Sequence, residues 1–220
     1  LMSIASFVFM NETGFLQPGE TGMPYVLYVY LGSGMWGVMI ATFQTVSNGL
    51  IGNADLMLRT AIPPIALAVA RLANIFYTIL VSMVMLLVIL AFFRFAPSIY
   101  VVLYPLAMFP VMLLGAAFGL TLAIVGTVAR DVTTITTSAL GLMMYLTPVV
   151  YVTDFANPVL KTIVAYNPMA YLIDTPRALL LLGEFKNIPG FFLALLATFV
   201  LLLISINAFY RIKDKAAERL

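Results

Sequence analysis

From residue 64 to residue 93 the chain carries a single charged side chain, Arg71, and from residue 188 to residue 210 it carries none. Apolar runs of that length leave few options, because about 20 consecutive apolar residues in a helix cross the roughly 30 Å hydrocarbon layer of a bilayer. In lipid every backbone polar group must be satisfied from within, so such runs predict helices rather than open strands or loops. The remainder of the chain agrees: 63% of the residues are hydrophobic, 9% are charged and the mean hydropathy is +1.09. A water-soluble domain sits nearer half apolar and a quarter charged. With 220 residues, the expected fold is all-α, a polytopic transmembrane bundle of about six spans, organised as a single domain over residues 1–220.

The composition also removes whole classes of chemistry. Cysteine and histidine are absent, which excludes disulfides, thiolate metal sites, cysteine nucleophiles and the usual general base near neutral pH. No catalytic residue and no metal site is expected. A net charge of +2 without a basic run gives no electrostatic footprint for nucleic acid. A glycine-rich phosphate loop ending in lysine and serine or threonine is not found, so no nucleotide site of that kind is built by these residues. No chain of intramembrane carboxylates points to proton coupling. An energy source such as ATP would have to act through a partner.

The spans read as follows. Residues 1–10 form half a span, broken by Asn11 and Glu12, and are expected to be the end of a truncated first helix preceded by a cytoplasmic segment. The second span covers residues 25–49. The third begins after Pro63 and Pro64, which suit a first helical turn, and runs to Phe93. The fourth covers residues 101–128 and bears Gly115, Gly119 and Ala123 at intervals of four, a stripe along which another helix can approach closely. The fifth covers residues 132–152 and the sixth residues 188–210, followed by the charged tail 211–220. Arg59, Arg130, Arg211, Lys213, Lys215 and Arg219 fall on one side of this arrangement and Arg94, Lys161, Arg177 and Lys186 on the other. The positive-inside rule then puts both ends in the cytoplasm.

Residues 153–187 are too apolar for a solvated loop and too interrupted to cross. They read as two short helices broken at Asn167 and Pro168, with a second apolar run at residues 178–182 after Pro176. A re-entrant hairpin on the outer side is expected, with a pair of flat interfacial helices as the alternative. Asp174 and Arg177 stand one helical turn apart, a pair of modest value if exposed.

Among the polar residues within spans, Thr133, Thr134, Thr136, Thr137 and Ser138 crowd the start of span five. They either bond their own backbone four residues back or, with Tyr145 and Tyr151, form a wall able to stack on sugar rings and exchange hydrogen bonds with them. Tyr25, Tyr28, Tyr30 and Trp36 read as an aromatic belt at the lipid headgroups. Arg71 is within snorkelling distance of the interface, and Arg130 with Asp131 reads as a helix-terminal pair.

The segments LGSGMW and NGLIGNADLMLRTAIPP between spans two and three, ARDV opening span five, LTPVVY closing it, and YNPMAYLIDTPRALLLLGEF before the last span occur in an order that resembles the polysaccharide-export branch of type 2 ABC transporter permeases. These include O-antigen, capsule and teichoic-acid exporters. The resemblance implies a homodimer in the cell (inner) membrane of a prokaryote, joined to two copies of an ATP-binding subunit that holds ATP and magnesium, with no cofactor bound by this chain. It implies a coupling helix containing Asp55, Leu56 and Arg59. A conduit lined by spans one and five would draw on Phe7, Phe9, Thr133, Thr137, Tyr145 and Tyr151. An outer gate would include Asn157, Tyr166, Asn167, Pro168, Asp174 and Arg177. The implied cargo is a lipid-linked glycan, in contact with membrane lipid and handed in some systems to further envelope export proteins. The amphipathic N-terminal helix expected of such proteins is not among these residues. Two rivals remain: an exporter of drugs or lipids on the same scaffold, and a membrane enzyme acting on lipid-linked sugars. The latter needs an acid–base pair that the scattered Asp154, Asp174 and Glu184 do not make.

Overall fold

The computed structural model describes residues 2–13, 21–51, 64–126, 131–151 and 158–217. They form helices and connecting turns, with no strand among them. α1 spans Met2–Glu12 and α2 Tyr25–Ile51; α3 spans Pro64–Phe92. A 3₁₀ turn, Ile99–Leu103, leads into the one-turn α4, Tyr104–Ala107, and then α5, Phe109–Gly126. α6 spans Asp131–Met143 and ends in a 3₁₀ turn, Met144–Leu146. The short helices α7, Pro158–Ala165, and α8, Pro168–Leu182, precede the long α9, Ile188–Ala217.

Four stretches among the described residues are long and apolar enough to cross a bilayer: Tyr25–Gly49, Leu72–Phe92, Ile99–Ala123 and Ile188–Arg211. The all-α polytopic bundle is therefore as expected, but its spans are not equivalent. Predicted span four is segmented, because Pro105 and Pro110 lack the N–H a helix interior requires and each falls in a first helical turn. Predicted span five is only partly helical. Its helix gives way at Thr147, whose backbone is extended (φ −108°, ψ 142°), as the residue before a proline tends to be.

α2 is the central element. Two-thirds of its most apolar window is buried, against about a fifth for α3 and α9. Its main partner is α5, with α3, α8 and α1 around it. The glycine stripe of α5 makes that contact close. A Cβ on Gly115 would fall on the Met39 carbonyl oxygen, and one on Gly119 would lie 2.8 Å from the Phe43 carbonyl oxygen and from Val46 Cβ. The stripe is thus a packing seam, as its spacing predicted.

Hydroxyl pairs reinforce the bundle. Tyr30 Oη donates to the Ser82 carbonyl (2.8 Å), and Ser82 Oγ lies 2.8 Å from Tyr104 Oη, tying α2, α3 and α4. Thr121 Oγ1 and Ser205 Oγ meet at 2.9 Å between α5 and α9. Outward, α3 presents Phe76, Tyr77, Leu80, Val84 and Val88, and α9 presents Phe192, Leu193, Leu196 and Ile204. Such continuous apolar faces suit lipid.

Gly119→Leu should force α2 and α5 apart and cost about 1–3 kcal/mol, the usual range for overpacking. Trp36, the chain's one tryptophan, is buried on α2, so its fluorescence during thermal unfolding in detergent reports the loss. An unchanged melting temperature would contradict the seam.

Candidate functional site

The stretch that leaves α6 is neither helix nor strand, and it is buried: Thr147, Pro148, Val149 and Val150 are all shielded from solvent. A carbonyl in such a place lacks both helix and water and costs about 1–3 kcal/mol if left unpaired. Here side chains from two other helices supply donors. Tyr25 Oη donates to the Val150 carbonyl and Tyr28 Oη to the Tyr151 carbonyl, each at 2.9 Å. Arg177 Nη2 donates to the carbonyls of Pro148 and Val149, each at 3.2 Å. Four consecutive carbonyls are thereby held by α2 and α8.

Arg177 is the centre of this knot. Its side chain is 1% exposed, its Nη1 lies 3.3 Å from Asp174 Oδ1, and its guanidinium carbon sits 3.7 Å from the centroid of the Tyr28 ring. Burying a charge costs several kcal/mol before its contacts offset it. The fork of an arginine meets that cost with two carbonyls, one carboxylate and one aromatic face at once. Its Nε–H has no hydrogen-bond partner among the described residues. Gly32 leaves the space: a Cβ there would land on Arg177 Nη2 and the Val149 carbonyl oxygen. Burial pushes the Asp174 carboxyl above its ordinary range, while Arg177 and then Lys186 pull it down.

Asn167 ties the knot to the start of α8. Its Oδ1 accepts from the Met169 N–H as an N-cap, Pro168 takes the first helical position, and its Nδ2 donates to Thr147 Oγ1 at 2.9 Å. Two readings of the sequence are corrected here. The second helix of the hairpin starts at Pro168, not after Pro176, which lies inside it. Tyr28, Tyr30 and Trp36 face the protein interior, not the headgroups: the Tyr151 and Ser82 carbonyls take the two tyrosine hydroxyls, and Trp36 packs in the hydrophobic core.

The remaining site residues fall into three groups. Asn167, Pro168, Asp174 and Arg177 of the expected gate come together, while Tyr166 is 85% exposed at the α7–α8 turn and Asn157 lies outside the described residues. Of the conduit candidates, Phe7 is buried with its ring 6.3 Å from that of Tyr145, Phe9 is exposed, and Tyr145 is exposed. Tyr151 is half-buried and donates to the Tyr145 carbonyl (2.9 Å). Thr137 is half-buried and engaged, and the side chain of Thr133 lies outside the described residues, as do Asp55, Leu56 and Arg59. Thr134 and Ser138 are the exposed hydroxyls of α6, with Ser138 Oγ donating to the Thr134 carbonyl. What the sequence reading missed was the role of Tyr25, Tyr28 and Gly32. The available signal was Pro148 inside a predicted span, which frees carbonyls that something nearby must satisfy.

The described residues thus form an all-α bundle with four helices long and apolar enough to cross a membrane and a short helix pair clamped to the broken end of α6, the architecture of a polytopic membrane protein. The family model for the ABC-2 type transporter matches residues 1–181, and the chain belongs to that family. It is accordingly the membrane component of an ABC transporter, paired with an ATP-binding subunit and not itself catalytic. A search of curated proteins returned no significant match.

Arg177→Met should orphan the Pro148 and Val149 carbonyls, at about 1–3 kcal/mol each. Arg177→Lys should restore little of this, since one ammonium cannot reproduce the fork. The chain has no cysteine, so a single cysteine at Val150 reports release of the knot by its rate of thiol labelling. Equal labelling in the parent and in Arg177→Met would show that the arginine does not hold this segment.

Proposed function

We propose that the chain is the permease of an ATP-driven exporter that moves a lipid-linked polysaccharide or similar glycan out across the cell membrane, working as a homodimer with two ATP-binding subunits. The observation that carries the cargo class is the outer face of α6. Where the exposed faces of α3 and α9 are mostly apolar, interrupted by Asn74 and Thr78 on α3 and by Asn207 and Arg211 on α9, α6 and its closing turn expose Thr134, Ser138, Gly141 and Tyr145 along one stripe, next to Ile135 and Leu142. Ser138 bonds its own backbone, but the exposed hydroxyls keep acceptor capacity for a polar cargo. Two copies meeting across α1 and α6 would enclose a path lined by hydroxyls and aromatic rings, with Phe9 beside it. Such a wall offers repeated weak hydrogen bonds and ring stacking without fixed charge, so that a long hydroxyl-rich polymer is held and still slides. A purely apolar cleft open to lipid, as a drug or lipid exporter on this scaffold would need, fits that stripe less well.

In this reading the partner's ATP-driven closure acts on the segment carrying Asp55, Leu56 and Arg59, the α1 and α6 pairs part across the dimer axis, and the knot around Arg177 governs the far end of the path. The outer side is where the basic-residue distribution puts that end.

Two measurements test the proposal. In the reconstituted complex, ATP hydrolysis should rise with envelope glycan of the host and not with amphipathic drugs or phospholipid; the reverse response would transfer the chain to the drug and lipid exporters. Asp55→Ala combined with Arg59→Ala should retain ATP hydrolysis while export falls at least about tenfold, which corresponds to about 1.4 kcal/mol of lost coupling. Export at the parent rate would remove the coupling role from this segment.

A further inference from the structure

Beside the knot lies an open pocket of about 230 Å³ between α7, α8 and the loop into α9, with Val164, Tyr171, Asp174, Thr175, Lys186 and Asn187 among its walls. The walls are fastened in place. Tyr171 Oη donates to the Ala165 carbonyl at 2.7 Å and holds the α7–α8 corner shut. Thr175 Oγ1 donates to the Lys186 carbonyl at 2.9 Å and fixes the loop against α8. Asn187 is held in the left-handed region at φ +50°, where asparagine is among the few residues at ease.

We infer that this cavity is a binding site for a single sugar ring of the cargo, which rests on the glycan reading above. Pockets for drug-sized ligands run to about 300–1,000 Å³, so this one suits a smaller unit. Its polar groups are mixed in kind: a carboxylate that accepts, an ammonium that donates and already pairs with Glu184 at 3.1 Å, and an amide that does both. They stand next to an aromatic ring and the aliphatic Val164. A hydroxyl-rich ring, whose every hydroxyl both donates and accepts and whose C–H face is apolar, complements that mixture; a phosphate would meet Asp174, and a bare alkyl chain would strand all three polar groups. The site is also wired to the knot. Asp174 presents Oδ1 to Arg177 at 3.3 Å, so a sugar hydroxyl bonded to the same carboxylate shares its charge and loosens the arginine. Occupancy at the exit would in this way favour release of residues 148 and 149.

The test uses the permease with its ATP-binding subunit in lipid nanodiscs and saturation-transfer NMR with N-acetylglucosamine and galactose as probes, glycerol and ethanolamine serving as polyol and amine controls. The sugars should receive saturation, and the signal should drop at least about fivefold in Lys186→Met/Asn187→Gly, a pair that removes both exposed polar groups while keeping the left-handed backbone. A matched melting temperature excludes misfolding, and Ala170→Phe, which fills the cavity, should give the same loss. Saturation of glycerol or ethanolamine equal to that of the sugars, or sugar saturation unchanged in the variants, overturns the assignment. The two readings fail separately. Glycan-stimulated ATP hydrolysis without sugar saturation removes the cavity site and leaves the exporter, whereas sugar saturation lost in the variants, with ATP hydrolysis that ignores glycan, keeps the site and removes the cargo.

Discussion

A carbonyl oxygen freed from its helix inside a membrane protein must find a donor or the fold does not hold, and this bundle is arranged around one such place. Pro148 stops α6 before it has crossed, and the carbonyls of residues 148–151 would be orphaned where water does not reach. Tyr25 and Tyr28 from α2 and Arg177 from α8 take all four. Because those donors come from elements far apart in sequence, the break in α6 dictates how α2, α6 and α8 sit together, and the absence of a side chain at Gly32 follows from the space they share.

The rest of the packing serves to hold α2 where that contact can be made. The α5 seam at Gly115 and Gly119 brings two backbones together without intervening side chains, which maximises dispersion contact in a setting where apolar side chains gain nothing by leaving lipid. The Tyr30, Ser82 and Tyr104 hydroxyls fasten α3 to the other flank. α9 closes the bundle on α5 and α8 and turns an apolar face outward. The result is a closely packed centre with one arginine-held strap at its end.

Much of the candidate site was legible before the structure, and the reasons differ from residue to residue. Asn167 and Pro168 were visible as a helix break because an N-cap followed by proline is a local signal. Asp174 and Arg177 were visible as a pair because one turn separates them. The burial of Arg177 was not, since whether a charge three residues from a carboxylate faces lipid, water or a ring of carbonyls depends on what packs against it. Tyr28 and Trp36 read as headgroup anchors on position alone and turned inward, Tyr28 to a carbonyl more than a hundred residues away and Trp36 into the core. In α6 the hydroxyl cluster was evident, but only the helix phase in three dimensions separated exposed Thr134 and Ser138 from half-buried Thr137.

The sequence by itself determined that this chain is a helical membrane protein, where its long spans run, and that α5 would carry a close-packing seam; these follow from apolar run length and small-residue spacing, which are properties of neighbours along the chain. The tertiary structure decided which break would be tolerated, which tyrosines would face in, and that Arg177 would be the buried centre of the end of the bundle. Those outcomes hinge on hydrogen-bond partners separated by tens of residues or more, and no local pattern records them.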